Sequence, residues 1–556
     1  MRYFSKVLFV LLAQAVLSSN AHASPDTLVR AIASDPKSFN DIVAQETSTQ
    51  EVTGYLFEGL TRLNPITGEV EPWLAEHWEI SEDQKTWVFF LKKEVRWFDG
   101  TSFTARDVVF TFNRLIYNDD IIAAARDIFT LAGERMTVEA VDDHAVRFQL
   151  PSAFAPFLLA LGQPILPAHV LGPAVESGNF SVTWGTDEDP DQIIGTGPFR
   201  LASYEPGERV ELVRNENYWR KDAGGRSLPH IEKIVLLIIP SPDGRLLKFM
   251  EGESDVYDLT GKDFPLLKPL EKARRFKLYE VGASMHSNFL TFNQASKDKH
   301  KRAWFQNRNF RRAIAHALDR DALIHIVYQG LGMRQCSPVS PSTPHFYLQT
   351  AACYDYDLSL AKSLLSHEGF EDRDGDGILE DAGGNPVEFV LSTNAENTER
   401  LQILAMIRED LARLGFKVHF LPMEFNSLVA KLVATGEWDA VLIGLTGSPD
   451  PHFGANVWRS KGTLHFWDRG SAVSGAAWQD RIDQVYDEAL ATLDTESRRE
   501  LYNEWQEVAV KELPLIYTVI PEVIYAVRNR LTNVNPSVLG GAINRIDEVE
   551  IVETAA

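Results

Sequence analysis

Two cysteines in 556 residues leave no disulfide framework and no cysteine-rich zinc site around which a fold could be built. Cations are also scarce, with 55 Lys+Arg against 78 Asp+Glu and a formal charge of -23. A field of that sign repels phosphate backbones, so nucleic acid is not an expected partner. After the N-terminus, no stretch approaches the ~20 apolar residues of a membrane helix. There is no fixed-period repeat and no low-complexity tract. Catalytic signatures are missing as well. The chain has no G-x-S-x-G elbow, no P-loop and no H-E-x-x-H, so neither an enzyme nor a cofactor is expected. What is present is ordinary globular material, 44% hydrophobic and 24% charged, too long for one core. The 31 Phe, 15 Tyr and 12 Trp supply flat apolar surface for cores or for a ligand cleft.

The first residues read as an address. Arg2 and Lys6 precede an apolar run over 7–17, and Ala21-His22-Ala23 has the A-x-A form of a cleavage site. Residues 1–23 are therefore expected to be a signal peptide, leaving a freely soluble exported body. An oxidising compartment follows, and with it a disulfide between Cys336 and Cys353 across a loop rich in serine and proline.

Periodicity locates the most informative region at 385–450. Residues 387–392 read as a strand, and Leu401, Leu404, Ile407, Leu411 and Leu414 follow at helical spacing up to Gly415. A second strand spans 417–421. Asn426 is expected to cap a helix that ends at Gly436, and a third strand spans 438–445. This alternation implies a parallel sheet with right-handed crossovers, whose ligands bind beyond the carboxyl ends of the strands. Those ends carry Thr393-Asn394, Met423-Glu424 and the loop Thr446-Gly447-Ser448-Pro449-Asp450-Pro451-His452. Later, residues 515–520 read as one short buried strand that returns the chain to an earlier lobe.

Several segments together resemble one family. They are Tyr55-Leu56-Phe57-Glu58-Gly59-Leu60, Pro72-Trp73-Leu74-Ala75-Glu76, Gly195-Thr196-Gly197-Pro198-Phe199, Asn215-Glu216-Asn217-Tyr218-Trp219 and Arg311-Arg312-Ala313-Ile314-Ala315. Taken in order along the chain, they look like the periplasmic solute-binding proteins of peptide/nickel-type ABC importers (bacterial extracellular solute-binding family 5). The resemblance implies an α/β fold, a two-lobed type II clam with an extra subdomain inserted in the first lobe. It places the first-lobe core at 24–64, 195–281 and 515–556, the inserted subdomain at 65–194 and the second lobe at 282–514. It also implies a monomer that captures a small solute by hinge closure and passes it to a membrane permease. A short peptide is favoured; an oligosaccharide, an opine-like conjugate or chelated nickel is the alternative within the same role, and a secreted hydrolase is the alternative outside it.

Peptide-binding members pair an Asp of the loop after the third strand with the ligand amine, which falls here on Asp450. Their carboxylate-binding Arg has no counterpart near Asn394, since none occurs before Arg400. Asn394, Asn397, Thr446, Gly447 and Ser448 are then the expected polar contacts, with His452 and Trp458 beside them. Separately, Asp372, Asp374 and Asp376 occupy the first, third and fifth positions of an EF-hand-like loop that lacks Glu at the twelfth, where Glu380 or Asp381 could substitute. Such a calcium site would be structural, and a solvated acidic turn is the competing reading.

Overall fold

Segments in which every second residue is buried, such as Thr86–Leu91 and Lys233–Ile238, form strands, because alternate side chains leave opposite faces of a sheet. The computed structural model describes residues 26–44, 46–469 and 476–552; the expected signal peptide lies outside the described residues.

Two large sheets organise the chain. The first runs in the order Phe199–Glu205, Arg209–Arg214, Lys233–Ile238, Thr27–Ile32, Val256–Leu259, Val519–Arg528, Phe276–Ala283, with Gly332–Arg334 added beside Val519–Arg528. The second runs Lys417–Met423, Glu388–Asn394, Ala440–Thr446, His286–Phe292, Leu515–Tyr517. A four-stranded sheet, Ala75–Ile80, Thr86–Leu91, Ala145–Gln149 and Thr137–Asp142, packs into the same apolar core as the first large sheet. The second sheet has a core on each face. Leu290, Leu391 and Leu442 lie on one face, and Phe289, Val441 and Ile443 on the other.

Within the second sheet the three strands read from periodicity are parallel, Glu388–Asn394 pairing with both Lys417–Met423 and Ala440–Thr446. The helix Thr398–Arg413 connects the first two. Two details differ from the sequence reading. The helix Phe425–Ala430 is capped by Glu424, whose carboxylate accepts from the backbone N–H groups of Asn426 and Ser427, so Asn426 lies inside the first turn. The apolar run 515–520 is not one strand. Leu515–Tyr517 pairs with His286–Phe292 in the second sheet, and Val519–Arg528 joins the first. The chain changes sheets at the fully buried Thr518, whose N–H and hydroxyl both donate to the Asn288 carbonyl at 3.0 Å. Nearby, Ser284 N–H donates to Pro521 O (2.9 Å), so the outward and return crossings lie side by side.

The Gly195-Thr196-Gly197 turn owes its composition to crowding. A Cβ at either glycine would lie 2.0–2.5 Å from the Tyr55 or Leu56 carbonyl oxygen, and Gly197 N–H donates to Leu56 O. On the same Tyr55–Leu60 segment, Glu58 is buried and accepts from Trp73 Nε1 (2.7 Å), Tyr218 Oη (2.9 Å) and Trp219 Nε1 (3.2 Å). One carboxyl group thus ties together three distant stretches of chain. Burial raises its pKa from 4.5 to about 7, against the pull of those donors. A carboxyl raised in the folded state stabilises the fold at low pH, and that contribution is lost as pH climbs through 4.5 toward 7. The loss is about 3 kcal/mol at 1.36 kcal/mol per unit. Between pH 4 and 8, E58Q should flatten the decline in unfolding free energy by that order. Equal slopes for E58Q and the parent in urea titrations would show that Glu58 does not titrate there.

Candidate functional site

A cavity of about 240 Å³ opens on one face of the second sheet, at the carboxyl end of Ala440–Thr446. It draws on separate parts of the chain. Thr446, Gly447, Ser448, Asp450 and Trp458, the expected ligand contacts, line it, and so do Met285, Ser287, Ser340, Tyr486, Trp505 and Tyr517. Trp458 meets Trp505 edge-on at 5.1 Å and Trp467 at 5.5 Å, forming an aromatic wall. Pro338 and Val339 close another side. They belong to the loop between Cys336 and Cys353, which are joined by a disulfide with Cα atoms 4.9 Å apart. Closing a loop of this length restrains the unfolded chain by about 3 kcal/mol in the chain-entropy treatment, and here the restrained loop is a cavity wall.

Asp450 is buried at the rim, but its carboxylate is not free. Arg498 Nη2 donates to Oδ1 and Nη1 lies against Oδ2, both at 2.9 Å, and His452 N–H also donates to Oδ1. Arg498 is itself 5% exposed, donates through Nε to Ala489 O and lies over the rings of Phe346 and Tyr502. Asp450, the expected anchor for a ligand amine, thus already holds an internal cation, and the pair is internally neutral.

His452 does not line the cavity. Its ring meets Phe154 of the 65–194 segment at 5.9 Å, beside a hydrogen bond from Ala155 N–H to Leu490 O (2.8 Å). Burial lowers its pKa to about 4, outweighing Asp450, so the imidazole is neutral where the two halves of the molecule touch. Asn397, another expected contact, serves as a helix cap. Its Oδ1 accepts from Arg400 N–H (2.9 Å) and caps Thr398–Arg413, so it positions the helix that carries Arg400.

Arg400 is the residue that motif reading passed over. Its Nε donates to Asn288 Oδ1 (2.8 Å) and its Nη1 to Asn394 Oδ1 (2.9 Å), and it forms no ion pair among the described residues. Asn394 is thus a buried support for the guanidinium. Burial lowers the Arg400 pKa, opposed by Tyr328 and Glu399. His286, whose Nδ1 is 3.0 Å from Thr446 Oγ1, is held low by burial and then by the Arg400 charge. A Cβ at Gly444 would lie 2.4 Å from Arg400 Nη2, so only glycine admits the guanidinium there. A lone glycine inside the apolar strand Ala440–Thr446 was the sequence signal for this close approach. Two amide oxygens hold this cation, and Glu399 acts on it without forming an ion pair, leaving it able to take an anionic group.

The acidic turn brings carboxylate oxygens of Asp372, Asp374, Asp376 and Glu380 within 4.8 Å of one another. Oxygen donors of this kind suit a hard divalent cation. Glu380, not Asp381, joins the three aspartates; Asp381 accepts from Trp304 Nε1 and from Asn385 instead.

Known proteins share this architecture. NikA of Brucella suis, in complex with Fe(III)-EDTA, superposes with a TM-score of 0.78 at 21% identity, covering 95% of this chain and 100% of that one. The oligopeptide-binding protein AppA of Bacillus subtilis, in complex with a nonapeptide, gives 0.72 at 22%, covering 95% and 99%. The fold is thus the two-lobed type II arrangement with an extra subdomain. In sequence, the dipeptide-binding protein of Escherichia coli is 28% identical over 533 residues, 92% of either chain. A probable ABC transporter-binding protein of Deinococcus radiodurans is 27% identical over 521 residues, 89% of this chain and 87% of that one. Residues 69–465, well over half of the chain, match the family described as "Bacterial extracellular solute-binding proteins, family 5 Middle". The protein belongs to the family 5 bacterial extracellular solute-binding proteins.

Proposed function

We propose that this chain captures a small peptide-like solute through a free carboxylate and delivers it to the permease of an ABC importer. The observation that carries this reading is Arg400, a partly buried guanidinium held by two amide oxygens, with no ion pair among the described residues. A ligand carboxylate supplies the charge-assisted partner that the site lacks. Asn288, Asn394, His286 and Thr446 surround that position, and the cavity beyond Thr446 receives the remainder of the solute. Gly261, in the segment between two strands of the first large sheet, lies so close to the Tyr328 backbone that a Cβ there would be 2.8 Å from its carbonyl oxygen, and Tyr328 Oη accepts from Asn288 Nδ2 (3.4 Å), which brings that half of the molecule up to the Arg400 site. Closure stores differential affinity: a solute that touches both halves favours the closed form only by the contacts it makes there. No helix among the described residues is long and apolar enough to cross a membrane, which suits a carrier that brings solute to a separate permease.

Mass spectrometry of small molecules released on denaturing the purified protein tests this. A carboxylate-bearing solute should be found. Returned to refolded protein at a hundredfold excess over its Kd, it should stabilise the fold by about 2.7 kcal/mol and reduce the radius of gyration in solution scattering. Release of solutes that all lack a carboxylate, or re-addition with neither effect, would refute the reading.

A further inference from the structure

The cavity has a chemistry of its own. Among the described residues that line it, Asp450 is the only carboxylate and there is no Lys, Arg or His. That carboxylate is already neutralised by Arg498. A charged group entering this space would lose its hydration and gain no counterion. The walls are aromatic, from Phe289, Trp458, Tyr486, Trp505 and Tyr517. Two of these rings carry polar atoms that no described residue binds. Tyr486 Oη and Trp505 Nε1 are buried and have no hydrogen-bond partner among the described residues, although Tyr486 is fully buried and Trp505 is 3% exposed. Buried polar groups are normally paired, and Tyr and Trp find partners when buried, so two unpaired donors in the wall of one cavity point to a group that arrives from outside. Size narrows the choice further. A cavity of roughly 150 Å³ accepts benzene, whereas this one is about 240 Å³.

We infer that this cavity is a specificity pocket for an uncharged group larger than a single benzene ring that presents one hydrogen-bond acceptor to Tyr486 Oη and Trp505 Nε1. The inference rests on the solute-capture reading and deepens it. The preferred solute is a carboxylate that carries a bulky neutral, ring-like moiety, with its anion at Arg400 and its ring on the opposite face of the second sheet. A free amine gains nothing here, because Arg498 already occupies both oxygens of Asp450.

Three probes of one shape separate the possibilities on the refolded, solute-free protein: naphthalene, 2-methoxynaphthalene and 2-naphthylmethylammonium, titrated by ligand-observed NMR. None of them has the carboxylate that Arg400 would hold. 2-Methoxynaphthalene should bind about three- to tenfold tighter than naphthalene, as expected for one net hydrogen bond, and the ammonium should bind weakest. Y486F and W505F should each pull that ratio toward one, an outcome that damage to the fold, which weakens both ligands alike, would not give. Filling the cavity with S287F should remove binding of all three. Equal binding of naphthalene and its ether, tightest binding of the ammonium, or a ratio that neither ring variant moves would overturn the pocket. Loss of solute capture itself would show in the release and scattering measurements, which do not depend on these probes.

Discussion

D450A should lower the stability of the protein by about 3–5 kcal/mol rather than simply abolish binding of ligands with a free amine. The reason lies in the partner left behind. Arg498 is 5% exposed and its guanidinium is bound at both Nη atoms by the Asp450 carboxylate. Removing Asp450 strands that cation among Phe346, Tyr502 and the Ala489 carbonyl, with no other carboxylate in ion-pair range among the described residues. Burial of an unpaired charge is expensive, whereas removing both charges is much less so, because the desolvation cost disappears with them. The double variant D450A/R498L should therefore recover most of what D450A loses. Unfolding in urea measures both. A D450A protein that keeps its stability but loses affinity for free amines would restore Asp450 as the ligand anchor suggested by the family resemblance.

The second large effect is expected at Arg400. R400M should weaken binding of the released solute by between about 30-fold and several thousandfold, the range for truncating one member of a buried charge pair, 2–5 kcal/mol. R400K should fall between, since an ammonium keeps the charge but cannot reproduce the planar fork that reaches Asn288 and Asn394. The fold should tolerate R400M better than D450A, because Asn288 and Asn394 are left as neutral acceptors rather than as stranded charges. Calorimetric titration with the solute is the measurement, and an unchanged Kd for R400M would remove the carboxylate anchor from the site.

How much of this was legible beforehand follows from distance along the chain. The strands Glu388–Asn394, Lys417–Met423 and Ala440–Thr446 were read correctly because their periods and glycine stops are local. The insertion of His286–Phe292 between Ala440–Thr446 and Leu515–Tyr517 was not, since antiparallel pairing across more than a hundred residues leaves no periodic trace. The run 515–520 hid its break because Thr518 is as buried as its neighbours, so burial alone could not mark the change of sheet. The same holds at the site. Thr446 to Asp450 was found from topology, but the meaning of Asp450 depended on an arginine 48 residues later, on a different helix. Arg400 was noticed only as an arginine too late in the sequence to fit a motif. Its role depends on Asn288, 112 residues earlier, and on a glycine in a facing strand.

The return crossing at Thr518 also bears on how the polypeptide acquires its fold as it is made. Phe276–Ala283 finds its sheet partner only in Val519–Arg528, and Val256–Leu259 meets that same late strand. Until residue 528 has emerged, the first large sheet lacks an interior strand and cannot become a single sheet. The second sheet needs nothing beyond Tyr517. Synthesis from the N-terminus thus completes the second sheet, at Tyr517, before the first, whose two parts are joined only when Val519–Arg528 is added.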